Sequence, residues 1–540
     1  MRASLVLPAL LMLLAAGFQM VPAAADGPAD AWWTEGRNDF FVEMPDGTLL
    51  DALMIVPNGT QPGDELPALV AIHGYGGSKD DDTAQLAADN GYVGFAYTTR
   101  GFGQSTGLMD VVGPASQQDL VDIVAWLKAN GPVVEDAVGV VGASYGGAHS
   151  FWAAARPDSG VAAAAPVVGW TDLELALRPN DVFKLSYAMG FYVSGHGLAQ
   201  SGDDPIEMEL FGENIGRRCF CETYDPAVHA ALAHQLAGID SPWMEQIWAE
   251  RSVRDLAHQI TIPTFIIQGL NDDLFPGDQV LEFFEAIPTE HKRLHLGYAG
   301  HPRAVQEGPE VDFLYDEIIA FFDHYLKGAG PSPIDPANPI TVSSRPWDGT
   351  SFALADWPDD AGPALSLGAD GSLGAAAGAD GVVALVPTHV AGIPDDGAAT
   401  LLFPELSYFP AGTPVDTVSF STGPLTEATK LLGTPTADLV MTPLGAHVQV
   451  AVKVFDVAPD GSADLVTKGI LGLRDRLPGV ALPTTFDLQP YHHTFAAGNS
   501  IEVRVAAGDF PSFQGYPSQS GFVLHMGADG STVSLPLAPA

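Results

Sequence analysis

A serine, two adjacent aspartates and a histidine, far apart in the chain, have the types and order needed for acyl transfer. The serine is Ser144, in Gly142-Ala143-Ser144-Tyr145-Gly146. A serine hydroxyl is a weak nucleophile. It needs a base beside it, a group that orients the base, and donors for the oxyanion that forms. The glycines let the chain turn sharply from strand to helix and lift Oγ above the sheet. G-x-S-x-G arises by chance in a glycine-rich chain. Here it follows the apolar run "VGVVGA" (138–143) and opens a helical run, the context a nucleophile turn requires.

The partners should then follow in the order acid, histidine. "TFIIQGLNDDLFP" (264–276) puts Asp272 and Asp273 just past a strand end. Asp272, three residues after Gly269, is the preferred acid and Asp273 the fallback; a solvated turn or a helix cap is the plain account of either. "RLHLGYAGHP" (293–302) offers two histidines. His295 lies inside a strand, with its ring against the sheet. His301 lies in the loop after Gly300 and can reach over Ser144. His73 fits worse by chain order and His291 by position. "HGYGG" (73–77) ends another strand, and its glycines allow close backbone approach. There the N–H groups of Tyr75 and Tyr145 would converge on the oxyanion, unless Tyr75 is only a packed aromatic.

The elements that must carry these residues alternate. Strands are expected at "FFVEM" (40–44), "LLDALMIV" (49–56), "PALVAIH" (67–73) and "YVGFAYTTR" (92–100), with a helix at about 82–90. "QQDLVDIVAWLKANG" (117–131) is an amphipathic helix ending at a glycine, and "DEIIAFFDHYLKG" (316–328) a closing one. "GVAAAAPVVG", "TFIIQG" and "RLHLG" are further strands. Strand and helix in alternation imply a parallel sheet covered on both faces. From about Trp170 to Pro263 helical fragments occur without a strand signal, which suggests a cap over the sheet edge whose stretch "FKLSYAMGFYVSG" faces the pocket. After the linker "GAGPSPIDPANP" the chain turns to short alternating runs such as "HVQVAVKVFDV" and "SIEVRVAAGD", the pattern of an all-β sandwich or jelly roll. The D-G pairs in "APDGSAD" and "GADGS" read as hairpin turns, and neither has calcium-loop spacing.

Composition narrows the partners. With 23 Lys+Arg against 66 Asp+Glu, the net charge of −43 would repel nucleic acid and anionic membranes. Hydrophobic residues make up 46% and charged ones 16%, a well-packed globular balance, and 540 residues exceed what one core usually serves. "MRASLVLPALLMLLAAGFQMVPAAADG" has the order of a secretory signal ending in an A-x-A site, residues 1–25. The apolar run is short for a membrane span, so no membrane association is expected once it is cleaved. The two cysteines, Cys219 and Cys221, are too close for good disulfide geometry and too few for a zinc site; free thiols and no metal are expected.

Together these residues resemble the α/β-hydrolases of the cocaine esterase and X-Pro dipeptidyl-peptidase group. "RGFGQSTG" (100–107), "GASYGG" (142–147), "QGLNDDLFP" (268–276) and "FFDHYLKG" (321–328) carry the resemblance. "VSFSTGPLTEATKLLGTP" (418–435) and "HHTFAAGNSIEVRVAAGDFP" (492–511) are similar to the group's C-terminal jelly roll. The resemblance implies an α/β-hydrolase domain over 26–330 with a helical cap at about 170–262, then a jelly-roll (galactose-binding-like) domain over 331–540. It implies a secreted serine hydrolase without cofactor, acting on a small ester, an amide or a short peptide. Ser144 would be acylated, His301 would serve as base and then acid, and Asp272 would orient it. In that group a tyrosine hydroxyl lies in the oxyanion hole, usually after a proline. Tyr75 follows His-Gly instead, so its phenol and its N–H both stay open as the donor. A peptidase pocket would need carboxylates for a free N-terminus; Asp203, Asp204, Glu207, Glu209 and Glu213 are available, and a solvated acidic face explains them as well. The competing class is an inactive binder whose jelly roll grips a carbohydrate or polymer. The intact Ser, Asp, His order speaks against it. If residues 1–25 are a cleaved signal, the exported protein begins at Asp26, which N-terminal sequencing or intact mass will read.

Overall fold

The computed structural model describes residues 19–20, 32–198, 223–301, 308–387, 417–509, 512–513, 515 and 519–540. Cys219, Cys221, the five acidic residues between 203 and 213, and the signal-like segment except Gln19 and Met20 lie outside the described residues. The chain divides into two compact units: Met1–Pro166, Ser194–Pro226 and Ile319–Pro331 form one, and Val167–Val193, Ala227–Ile318 and Ser332–Ala540 the other.

The first unit carries β1 (Gln19–Met20), β2 (Gly36–Glu43), β3 (Leu49–Val56), β4 (Leu66–Ile72), α1 (Asp81–Asp89), β5 (Val93–Tyr97), α2 (Pro114–Asn130), β6 (Val133–Ala143), α3 (Tyr145–Ala155) and β7 (Ala163–Val167). Their spatial order is β1-β2-β3-β5-β4-β6-β7. β3 pairs antiparallel with β2 and β5, whereas β4 runs parallel to both β5 and β6. Leu69, Val70, Ala71 and Ile72 are at most 1% exposed, which is why this run shows no polar alternation. The order reverses at β4. The chain goes from β4 out to β5 and returns across it to β6, and a crevice forms beyond the strand ends at such a reversal. Ile72 is in register with Gly142, so the His73–Gly77 loop and the Ser144 turn leave the same end of neighbouring strands.

Between β7 and β8 the described residues form α4 (Leu173–Leu177), α5 (Leu185–Leu198), α6 (Pro226–Leu236) and α7 (Pro242–Ala249), and no strand, as the sequence predicts. The second unit continues with β8 (Thr264–Gly269), α8 (Gly277–Ala286) and β9 (Lys292–Gly297); α9 (Gly308–Lys327) follows, then β10 (Ile340–Ser343) and β11 (Ser351–Leu354). β8 and β9 are parallel, β10 adds to β9 in parallel, and β11 closes antiparallel on β10. Among the described residues the remainder is all β, in sheets of seven, five and three strands, mostly antiparallel. Burial alternates along Thr436–Pro443 and Ser500–Ala506, as the polar-apolar pattern requires.

The "APDGSAD" turn joins the paired strands His447–Val457 and Ala463–Leu473, with Gly461 at φ +88°. "GADGS" occurs twice: at 368–372 it makes the expected hairpin turn between the paired strands Ala364–Leu367 and Leu373–Gly374, with Gly371 at φ +81°, whereas at 527–531 no hairpin forms. Phe522–Met526 and Thr532–Ser534 do not pair with each other; both pair with successive stretches of Thr436–Pro443. The D-G pair there makes an outward loop in one interrupted strand path, because the partner strand offers that edge to both segments.

Gly94 shows how tightly α1 lies on β5: a Cβ at this position would stand 1.9 Å from the Ala84 carbonyl oxygen. Gly94→Ala is expected to cost roughly 2–3 kcal/mol or more, as overpacking against backbone does, and urea denaturation will measure it.

Candidate active site

Ser144 sits between β6 and α3 with φ +59° and ψ −113°. A side chain held in that region costs about 1–3 kcal/mol, so the surrounding packing must impose it. The glycines do so. A Cβ on Gly146 would lie 2.0 Å from the Ile72 carbonyl oxygen, and one on Gly142 2.6 Å from Gly146 and 2.7 Å from that same oxygen. Helix and strands thus approach too closely for any side chain, and the turn pushes Ser144 outward. Ser144 is partly exposed while Tyr145 and the residues after it are buried. Serine stands at the N-terminus of an 11-residue helix, where backbone N–H groups favour negative charge. A Cβ on Gly74 would be 3.8 Å from the Ser144 Cβ, so the "HGYGG" loop runs alongside.

Tyr75 turns its phenol to that of Tyr224, with which it shares a short hydrogen bond. Its ring stands edge-on to Phe102 at 5.3 Å and to Tyr145 at 6.0 Å. Burial first, and then Tyr224, push the Tyr75 phenol well above the usual tyrosine range, which keeps it a proton donor. Either hydroxyl of this pair can be the donor; in the arrangement where Tyr224 donates, the Tyr75 proton is left for an oxyanion. Tyr224 is itself held by neighbours on either side: Met109 N–H donates to the Thr223 carbonyl at 2.9 Å, and Asp225 N–H to the Met109 carbonyl at 2.9 Å. The Tyr145 hydroxyl has another task, accepting the Val112 N–H at 3.1 Å. Val111 and Val112 stand at φ +57° and +53°, unusual for β-branched residues, and this bond helps hold them there. For Tyr145 the backbone N–H is therefore the oxyanion candidate.

In the second unit Asp272 and His301 meet. Asp272 Oδ2 accepts the His301 Nδ1–H at 2.7 Å and the His301 backbone N–H at 3.2 Å. Its Oδ1 accepts the N–H groups of Leu274 and Phe275, both at 2.9 Å. The residue is 0% exposed. Since an ionised carboxylate only accepts, Nδ1 carries the proton and Nε2 is the basic nitrogen. Phe275 stands edge-on to the imidazole at 4.8 Å. Gly300 is required here, because a Cβ would come within 2.7 Å of Asp272 Oδ2. Asp273 points elsewhere: its carboxylate pairs with Lys468 at 3.2 Å, and its carbonyl accepts from Lys184 at 2.7 Å. The two neighbouring aspartates are thus separated by geometry, in favour of Asp272 as the partner of the histidine.

His73 and His295 are occupied structurally. His73 donates from Nδ1 to the Gly74 carbonyl and accepts the Thr99 N–H on Nε2; burial pushes it down to about 4. His295 is held between Thr341 and Ser343 at 3.0 Å each and ties β9 to β10, with burial pushing it down to about 3. The structure therefore groups Ser144, Tyr75 and Tyr145 in the first unit, and Asp272 and His301 in the second. Sequence reading did not find Tyr224, 149 residues from its partner, or the two lysines behind Asp273. A lone tyrosine or lysine carries no local signal. Among the described residues no three His, Cys, Asp or Glu stand together as metal ligands.

Residues 46–303 match the family model for X-Pro dipeptidyl-peptidase (S15 family), and residues 354–529 that for the X-Pro dipeptidyl-peptidase C-terminal non-catalytic domain. The cocaine esterase of Rhodococcus sp. (strain MB1 Bresler) is 22% identical over 90% of this chain and 93% of its own length. A solved α-amino acid ester hydrolase superposes with a TM-score of 0.70 at 19% identity, covering 96% of this chain and 98% of that one. An aminopeptidase from a marine sediment Thaumarchaeota archaeon gives 0.69 at 17% identity, covering 95% and 99%. The fold is that of the α/β-hydrolases with an all-β domain after it, and the protein is a serine hydrolase. More narrowly, the chain belongs to the X-Pro dipeptidyl-peptidase and cocaine esterase family.

Replacing Asp272 by Asn should lower kcat about 10⁴-fold, because the amide holds the wrong imidazole tautomer. Asp273→Asn should cost far less, about 10- to 100-fold, since it leaves the His301 bond in place. Steady-state kinetics on a p-nitrophenyl ester will separate the two.

Proposed function

We propose that this protein is a secreted hydrolase that cleaves esters or peptide-like amides through a Ser144, His301, Asp272 triad. His301 Nε2 takes the Ser144 proton as Oγ attacks the substrate carbonyl. The oxyanion accepts from the Tyr145 N–H and from Tyr75, whose phenol the Tyr224 contact orients. The protonated imidazole then gives its proton to the leaving group, an alcohol or an amine. Water, deprotonated by the same nitrogen, releases the acid and restores Ser144. Asp272 keeps Nδ1 protonated and stabilises the imidazolium as it forms. The reaction needs no cofactor. The expected substrate is a small ester or amide, or a short peptide.

The observation that carries this reading is the 2.7 Å bond from His301 to a carboxylate buried away from solvent, on the strand ends and in the chain order that the Ser144 turn calls for. A fluorophosphonate probe tests it. Labelling of the wild type at Ser144, lost in Ser144→Ala, is the expected result; an unlabelled wild type would refute it. A panel of p-nitrophenyl acyl esters against Ala-Pro-p-nitroanilide then assigns the substrate class, by whichever kcat/KM is larger.

A further inference from the structure

Behind the candidate acid lies a small cavity whose wall includes Lys184, Lys453, Lys468 and Asp509. These are buried charges: Lys184 is 3% exposed, Lys468 6%, Lys453 8%, Asp273 1% and Asp509 4%. Buried ion pairs add little to stability compared with an apolar core of the same volume, so their worth here is geometric. Lys184 Nζ donates to the Asp273 carbonyl at 2.7 Å and the Leu274 carbonyl at 3.1 Å. On the other side of those peptide groups, the Leu274 and Phe275 N–H groups donate to Asp272 Oδ1. Lys468 pairs with the Asp273 carboxylate at 3.2 Å. It lies on the all-β strand Ala463–Leu473, whose Ile470 carbonyl also accepts from the Asn180 amide at 3.0 Å, four residues before Lys184. An unbroken set of contacts therefore runs from the all-β strand, through Asp273 and its two peptide groups, to the carboxylate that holds His301. Holding Lys184 here is costly: burial, and then Lys468, push its ammonium down to about 8.

We infer that Lys184 and Lys468 are positioning residues that fix the Asp272 loop, and that the all-β domain thereby contributes to the turnover rate. The inference rests on the triad reading above. Loss of either lysine lets the loop relax by a fraction of an ångström, the imidazole is misaimed, and the chemical step slows while substrate binding does not.

The experiment compares Lys468→Met, Lys468→Arg and, as control, Lys453→Met, which breaks the 3.1 Å pair with Asp509 in the same cavity without touching the loop. Kinetics on a p-nitrophenyl ester, the fluorophosphonate labelling rate and Tm are measured for each. Lys468→Met should lower kcat and the labelling rate about 10- to 100-fold, with KM within about threefold, and Lys468→Arg should recover most of the loss. Lys453→Met should lower Tm and leave kcat within about twofold. A folded Lys468→Met enzyme with wild-type kcat and labelling rate overturns the inference, and so does an equal loss in Lys453→Met. Should Lys468→Met not fold, the Lys468→Met/Asp273→Asn double variant, which removes both charges together, is judged by the same criteria. An unlabelled wild type overturns the triad reading, and this inference with it.

Discussion

A carboxylate taken wholly out of water has to be surrounded by donors. An isolated buried charge costs several kcal/mol or more, and hydrogen bonds to both oxygens are what make its burial tolerable. Asp272 meets this demand with four N–H groups: two from its own loop, and the backbone and ring of His301. Much of the surrounding structure follows from that. The loop must curl so that Leu274 and Phe275 point their amides inward, and their carbonyls then face away and need partners of their own. Lys184 donates to the Leu274 carbonyl and to that of Asp273 before it, and the Gln268 amide donates to the Phe275 carbonyl at 2.5 Å. Gly300 leaves room for the carboxylate to reach the ring.

The Ser144 turn shows the opposite constraint, in which sterics rather than charge dictate the backbone. α3 lies so close to β4 that its first turn tolerates no Cβ facing Ile72. The chain is then forced through a left-handed residue, and that residue is the serine. A strained backbone persists only where packing over-determines it. In the parallel sheet the same reversal of strand order brings the "HGYGG" loop to the end of the neighbouring strand. Tyr75 stands in that loop, and its phenol is oriented by a residue from a distant part of the chain, Tyr224.

What the sequence by itself determined was local. The runs "LLDALMIV", "TFIIQG" and "HVQVAVKVFDV" form strands with the bounds their apolar residues mark, because burial on one or both faces leaves its pattern in consecutive residues. The turn at Ser144, and the glycines that let the aspartate after Gly269 meet the histidine after Gly300, were legible for a related reason. Their glycines record close approaches that no other residue permits. The short strand Ser351–Leu354, with no buried residue, left too weak a pattern to be seen. "GADGS" makes a hairpin at 368–372 and not at 527–531, because a D-G pair specifies a turn but not which strands flank it.

Tertiary structure alone decided between Asp272 and Asp273. Adjacent residues of one type have the same local chemistry, and only the folded loop sends one carboxylate to His301 and the other to Lys468. It also decided which atoms of the tyrosines are engaged, and it recruited Tyr224, Lys184 and Lys468. A long-range contact depends on where two chain segments lie in space, and the spacing of residues along one segment holds no record of that.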